Sequence, residues 1–197
     1  MNHDIYDDNY IRTILRSVRT MAIVGASPNT IRPSYFLFKY MLERGYDMIP
    51  VNPGQVGKQL LGRPFVASLS EIGRPIDMID IFRGPEHVMP IVDEALALGP
   101  PPRVIWMQLG VRHDEAAAKI EAAGIKVVMN RCPKIEYGRL SSEISWMGVN
   151  SRTLSSKRAP VPVKGVQRMS LERQSFGGGS TDAANRAAQN ANAANKG

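Results

Sequence analysis

The chain has 197 residues, 43% of them hydrophobic, and a net charge of +7. That length fits one domain with an appendage, and the apolar fraction can fill a core. No apolar run reaches the roughly 18–20 residues of a membrane span, and the polar start, Met1 to Asp8, lacks the pattern of a secretory signal. The single cysteine, Cys132, excludes an internal disulfide and points to a reducing cytoplasm.

The charge is unevenly divided. Residues 1–150 carry 17 Lys+Arg against 16 Asp+Glu, and residues 151–197 carry 8 against 2. The nearly neutral body gives no nucleic-acid signal. The tail, 151–197, offers little apolar surface to offset the entropy of ordering. It is expected to be a disordered basic extension, with weak contact to a polyanion as its candidate role. Three scattered histidines and one cysteine have no metal-ligand spacing.

Tyr6 to Val18 predicts an N-terminal helix that packs on the domain, so residues 1–18 precede a core at 19–150. Met21 to Val24 is a short apolar run ending at Gly25, a buried strand. Ser34 to Arg44 has helical spacing, with Pro33 suited to its start and Gly45 to its end. Asp47 to Val51 is a second strand. Phe65-Val66 is a candidate short strand and Ser68 to Ile72 a short helix. Asp77 to Phe82 is a strand, Glu86 to Leu98 a helix, Arg103 to Gln108 a strand, Asp114 to Ala123 a helix, and Lys126 to Met129 the last strand. Strands separated by helices imply a parallel sheet with right-handed crossovers. The expected fold is a Rossmann-like, doubly wound, three-layer αβα sandwich of five or six strands.

Ligands of such sheets sit outside the carboxyl ends of the strands. The first strand runs into Gly25-Ala26-Ser27-Pro28-Asn29-Thr30 and then a helix N-terminus, which attracts phosphate. The dinucleotide pattern G-x-G-x-x-G would need glycines where Ser27 and Thr30 stand, and Asn52 replaces the acid expected to bind a ribose. The other strands end in Asn52-Pro53-Gly54, Arg83-Gly84-Pro85 and Leu109-Gly110. Arg83 has Asp80 and Glu86 as alternative partners. Nearby cations, Arg131 and Lys134, would lower the pKa of Cys132, although an inert thiol is the commoner case. His113 reads as a solvated loop residue.

The segments Ile23-Val-Gly-Ala-Ser27, Arg32-Pro-Ser34, Ile49-Pro-Val-Asn-Pro53, Asp80-Ile-Phe-Arg83, Trp106-Met-Gln-Leu-Gly110 and Val128-Met-Asn-Arg-Cys132 give the chain a specific resemblance. It resembles the small, stand-alone CoA-binding proteins of bacteria, whose domain is similar to that of the succinyl-CoA synthetase alpha subunit. The resemblance spans about residues 10–145. It implies that Gly25, Ala26 and Ser27 cradle a diphosphate and that Arg32 and Ser34 support phosphate recognition. Asn52 and Pro53 would line the adenosine side, Phe82 and Arg83 would flank the nucleotide, and Gln108 and Gly110 would close the pantetheine side. Asn130 departs from the aspartate usual before Arg-Cys in this family.

The function implied is non-catalytic binding of coenzyme A or an acyl-CoA, since no nucleophile with its base and no carboxylate pair is visible. One alternative is a CoA-ligase-type subunit that needs a separate ATP-binding partner. The other is a dinucleotide-sensing interaction module. The sequence carries no signal for an oligomeric state.

Overall fold

The computed structural model describes residues 1–141. Seven strands are present among them: β1 (Thr20–Val24), β2 (Asp47–Val51), β3 (Gln59–Leu60), β4 (Arg63–Pro64), β5 (Met78–Ile81), β6 (Val104–Met107) and β7 (Lys126–Val128). Five helices accompany them: α1 (Asp8–Ser17), α2 (Pro33–Glu43), α3 (Val88–Leu96), α4 (Asp114–Ala122) and α5 (Pro133–Leu140). The tail expected to be disordered, 151–197, lies outside the described residues, as do 142–150 of the expected core.

β2, β1, β5, β6 and β7 form one sheet in that order, every pair parallel. The chain steps from β1 to β2, then crosses back over β1 to β5. This is the 2-1-3-4-5 order of doubly wound sheets, and its switch point lies between the first and third strands in chain order, here β1 and β5. The parity of each strand sorts its side chains. Met21, Ile23, Met78, Trp106 and Val128 face one core with residues of α1, α2 and α5. Ala22, Ile79, Ile81, Ile105, Met107 and Val127 face a second with residues of α3 and α4. With helices on both faces, every residue of β5 and β6 is buried. That is why these strands read as continuous apolar runs rather than alternations.

α1 is capped by Asp7, whose carboxylate accepts from the amides of Asn9 (2.8 Å) and Tyr10 (3.3 Å). It buries Ile11, Ile14 and Leu15, a contribution of about 1.5–3 kcal/mol for each fully buried side chain. The expected strand at Phe65-Val66 reduces to a single bridge between Val66 and Val51. The hairpin of β3 and β4 precedes it, turned by Leu61 (φ 49°) and Gly62 (φ 80°). Two consecutive positive φ values suit a two-residue hairpin turn. The expected helix at 68–72 is a 3₁₀ turn at Ser70–Ile72, and another, Pro85–His87, leads into α3. α5 is an element the periodicity did not suggest.

Candidate functional site

The exits of β1, β2 and β5 meet at the switch point. Gly25 follows β1 with φ 90°, and a Cβ placed on it would stand 2.5 Å from the carbonyl oxygen of Phe82 and 3.1 Å from Nε of Arg83. The β1 and β5 exits therefore touch at a position only glycine fills without displacement. The ladder runs on into these turns: the Gly25 amide donates to Val51 (2.9 Å) and the Phe82 amide to Val24 (2.8 Å).

Asn52 joins the three exits. Its Nδ2 donates to the carbonyl of Ala26 (2.8 Å), and its Oδ1 accepts from the Gly54 amide (3.1 Å) and, at 3.4 Å, from Nη2 of Arg83. An aspartate could not make the first of these bonds when ionised, so the residue that spoils a dinucleotide pattern has a structural task. Arg83 reaches Asn52 rather than the Asp80 or Glu86 considered from sequence.

Beyond Gly25 the loop is held by its own side chains. Oγ of Ser27 accepts from the Asn29 amide (3.2 Å), and Oδ1 of Asn29 accepts from the Ile31 amide (3.1 Å). α2 then begins without a side-chain cap, because Arg32 occupies the cap position and makes no capping bond, and Pro33 follows it. An uncapped first turn keeps its positive end available to an anion. Arg32 and Pro53 are exposed, whereas Ser34 is buried within the first turn of α2.

The remaining expected site residues are placed differently. The Gln108 side chain is turned inward, and its Nε2 donates to both oxygens of Asp80, at 3.0 and 2.9 Å. Both residues are buried, and burial pushes the Asp80 carboxyl well above its usual pKa, against the opposing pull of Gln108. The side-chain nitrogen of Gln108 is thus engaged in the interior. Gly110 (φ 78°) donates its amide to Oδ1 of Asn130 at 2.8 Å, tying the β6 exit to the β7 exit. Asn130 has φ 53°, a conformation asparagine tolerates. The departure from aspartate therefore retains the acceptor that this contact uses.

The lowered pKa weighed for Cys132 and the loop placement of His113 are corrected, whereas the inert thiol favoured for Cys132 agrees with its burial. Burial raises the pKa of the Cys132 thiol, outweighing the amides of Ile135 and Lys134 and the charge of Lys134. Arg131 is directed elsewhere, donating to the carbonyls of Asn130 and Asp4 and lying 3.9 Å from Glu136. His113 is not a solvated loop residue: its Nδ1 accepts from the Ala116 amide at 3.2 Å and caps α4. The signal was present in sequence, since His113 directly precedes the acidic pair Asp114-Glu115 that suits a first turn. The bridging role of Asn52 and the loop role of Asn29 had no comparable signal.

The fold and this crevice define a doubly wound α/β domain with its candidate ligand site at the β1–β5 switch point. Residues 19–138 match the CoA binding domain family, and the chain belongs to that family. It is 35% identical over 127 residues to the uncharacterized protein YneT of Bacillus subtilis (strain 168), covering 64% of this chain and 91% of that one. A solved structure from Thermus thermophilus is 38% identical, with a TM-score of 0.65, over 68% of this chain and 99% of the other. A hypothetical protein from Pyrococcus horikoshii OT3 is 37% identical, with a TM-score of 0.66, over 72% and 96%. Among the described residues no helix is long and apolar enough to cross a membrane.

Proposed function

We propose that the chain binds coenzyme A or an acyl-CoA at the β1–β5 crevice and performs no chemistry on it. The diphosphate lies over Gly25, Ala26 and Ser27, at the start of α2. Arg83 supplies charge from the β5 exit and Arg32 from the exposed lip. Asn52 and Pro53 border the adenosine, with Phe82 beside it. Gly110 lies on the pantetheine side. The observation that carries this reading is the close approach at Gly25. A backbone with no side chain, facing Arg83 and leading to an uncapped helix start, suits a phosphate group that must come within hydrogen-bonding reach of main-chain amides.

The non-catalytic part of the reading rests on how the reactive groups are occupied. Asp80 is buried and held by Gln108. His113 serves as a helix cap. Burial keeps the Cys132 thiol protonated to a higher pH than an exposed cysteine, which lowers its nucleophilicity at neutral pH. None of the three is presented as an acid, base or nucleophile to the crevice.

Calorimetric titration of the purified protein with CoA, acetyl-CoA and NAD tests both halves. Saturable binding of CoA or its thioester, without turnover of the thioester, is the expected result. Binding of NAD in preference to CoA, or hydrolysis or transfer of the acyl group, overturns it.

A further inference from the structure

A cavity lies beside the amino ends of β1 and β2, the opposite end of the sheet from the crevice. Its volume is about 290 Å³, and four arginines line it, Arg12, Arg16, Arg19 and Arg44, together with the rings of Tyr46 and Tyr137. Among the described lining residues none is acidic.

The pairing of arginines across the domain makes this unusual. Arg63, Arg74, Arg103, Arg112, Arg131 and Arg139 each lie against a carboxylate. Among the described residues, Arg12, Arg16 and Arg19 form no ion pair. The others without one are Arg32 and Arg83, the two arginines of the crevice. Arginines lacking a carboxylate thus gather in two places, and one of them is already read as a phosphate site. Helix-dipole complementation accounts for Arg16, in the last turn of α1. It does not account for Arg12, earlier in the helix and bonded to Asn9, nor for Arg19, beyond its end. Arg12, Arg16 and Arg19, three like charges at one cavity with no ion pair among the described residues, favour an anion between them.

We propose that this cavity is a second ligand site, for a small organic phosphate whose ring lies against Tyr46 and Tyr137 and whose phosphates face Arg12, Arg16 and Arg19. Tyr46 is fixed for that task, because its hydroxyl donates to the Leu15 carbonyl at 2.7 Å. Guanidinium groups match phosphate geometry. The volume falls just below the roughly 300–1,000 Å³ usual for ligand pockets, a size for a mononucleotide rather than for CoA. The inference stands independently of what the crevice binds.

The test is calorimetric titration of the full-length chain with ADP, with and without saturating CoA. The expected result is saturable binding that persists in CoA and shifts the amide resonances of Val18 and Gly45. The double variant Arg16→Ala/Arg19→Ala should lose roughly tenfold or more in ADP affinity, as expected on losing a charge-assisted contact, with CoA binding unchanged. Tripolyphosphate, which has no ring, should bind more weakly than ADP. Displacement of ADP by CoA with no effect of the double variant would place ADP in the crevice and overturn the proposal. So would absence of binding at millimolar ADP. Non-saturating association that Arg74→Ala reduces as much as the double variant does would reflect net charge alone, and would overturn it too.

Discussion

The Gln108 amide holds both carboxylate oxygens of Asp80 inside the sheet, linking β5 to the residue that follows β6. The pair is 28 positions apart in sequence, and its geometry sets how the domain responds to pH. Burial raises the Asp80 pKa in the folded state above its value in the unfolded chain, about 3.9. Its contribution to stability is therefore fully present below that unfolded value and is lost as pH rises through the folded one. Asp80→Asn keeps an acceptor for Gln108 and removes the ionisation. Thermal melts across acidic to mildly alkaline pH should show the variant gaining on wild type as pH rises. An equal loss at every pH would show that the carboxyl is needed for packing alone.

Removing the other partner should act differently. Gln108→Ala leaves a buried carboxyl without its donor, at a cost of about 1–3 kcal/mol. Chemical denaturation should register that loss. CoA affinity, measured on the folded variant, should stay close to wild type, because the side chain is spent on Asp80. A large loss of affinity at unchanged stability would return Gln108 to the ligand surface.

The sequence made the sheet legible for a physical reason. Strands covered on both faces must be apolar at consecutive positions, so Met21-Ala-Ile-Val24 and Val104-Ile-Trp-Met107 stand out. Pro33 and Gly45 bracketed α2 because each has a conformational preference that acts locally. α5 was not legible. It buries Glu136 and Gly138, residue types that ordinarily mark exposure or a turn, and Glu136 is buried because Arg139 pairs with it at 2.7 Å. The crevice was half legible. Gly25 and Arg83 follow strand ends, but Asn52 bridging to Ala26 and Arg83 depends on strands that meet only in the folded sheet. The arginine cavity was hidden for the same reason. Arg12 and Arg16 share a helix face by spacing, whereas Arg44, just beyond the end of α2, joins them only in the folded domain.

His113 gives the capping role a direct test. His113→Ala removes the acceptor for the Ala116 amide and should cost about 0.5–2 kcal/mol, the range for a lost helix cap. His113→Asn, which supplies a side-chain oxygen at the same position, should recover most of it. CoA binding should be unchanged in both. If the asparagine variant is as unstable as the alanine variant, the imidazole contributes by packing rather than by its acceptor.

Gly25 couples stability and binding in one residue. A side chain there meets the Phe82 carbonyl at 2.5 Å and inherits φ 90°. The strained backbone alone costs about 1–3 kcal/mol, so Gly25→Ala should unfold earlier in denaturant and should also lose CoA binding. A variant at Gly45 separates the two effects. That glycine also has positive φ, but nothing lies within 4 Å of an added Cβ. Gly45→Ala should be destabilised by strain yet bind CoA normally. Binding lost equally in both variants would mean that global loosening, not the crevice, is responsible.

Arg32 and Arg83 are expected to read different phosphates. Arg83 stands close to Gly25, held near the β1 exit by Asn52, so its guanidinium is placed for the diphosphate. Arg32 is exposed at the start of α2 and makes no capping bond, which leaves it free to reach a group further out, such as the 3′-phosphate of CoA. Dephospho-CoA lacks only that phosphate. Arg83→Met keeps much of the aliphatic stem and removes the charge; it should weaken CoA and dephospho-CoA alike, by about 1.5–3 kcal/mol, the range for a hydrogen bond to a charged group. Arg32→Ala should weaken CoA alone, so that the two ligands bind with similar affinity. Raising the salt concentration should shrink the Arg32 effect more than the Arg83 effect, because the exposed charge is the more readily screened. If Arg32→Ala lowers both affinities together, Arg32 also contacts the diphosphate. If neither substitution changes either affinity, the nucleotide does not lie at the β1–β5 switch point.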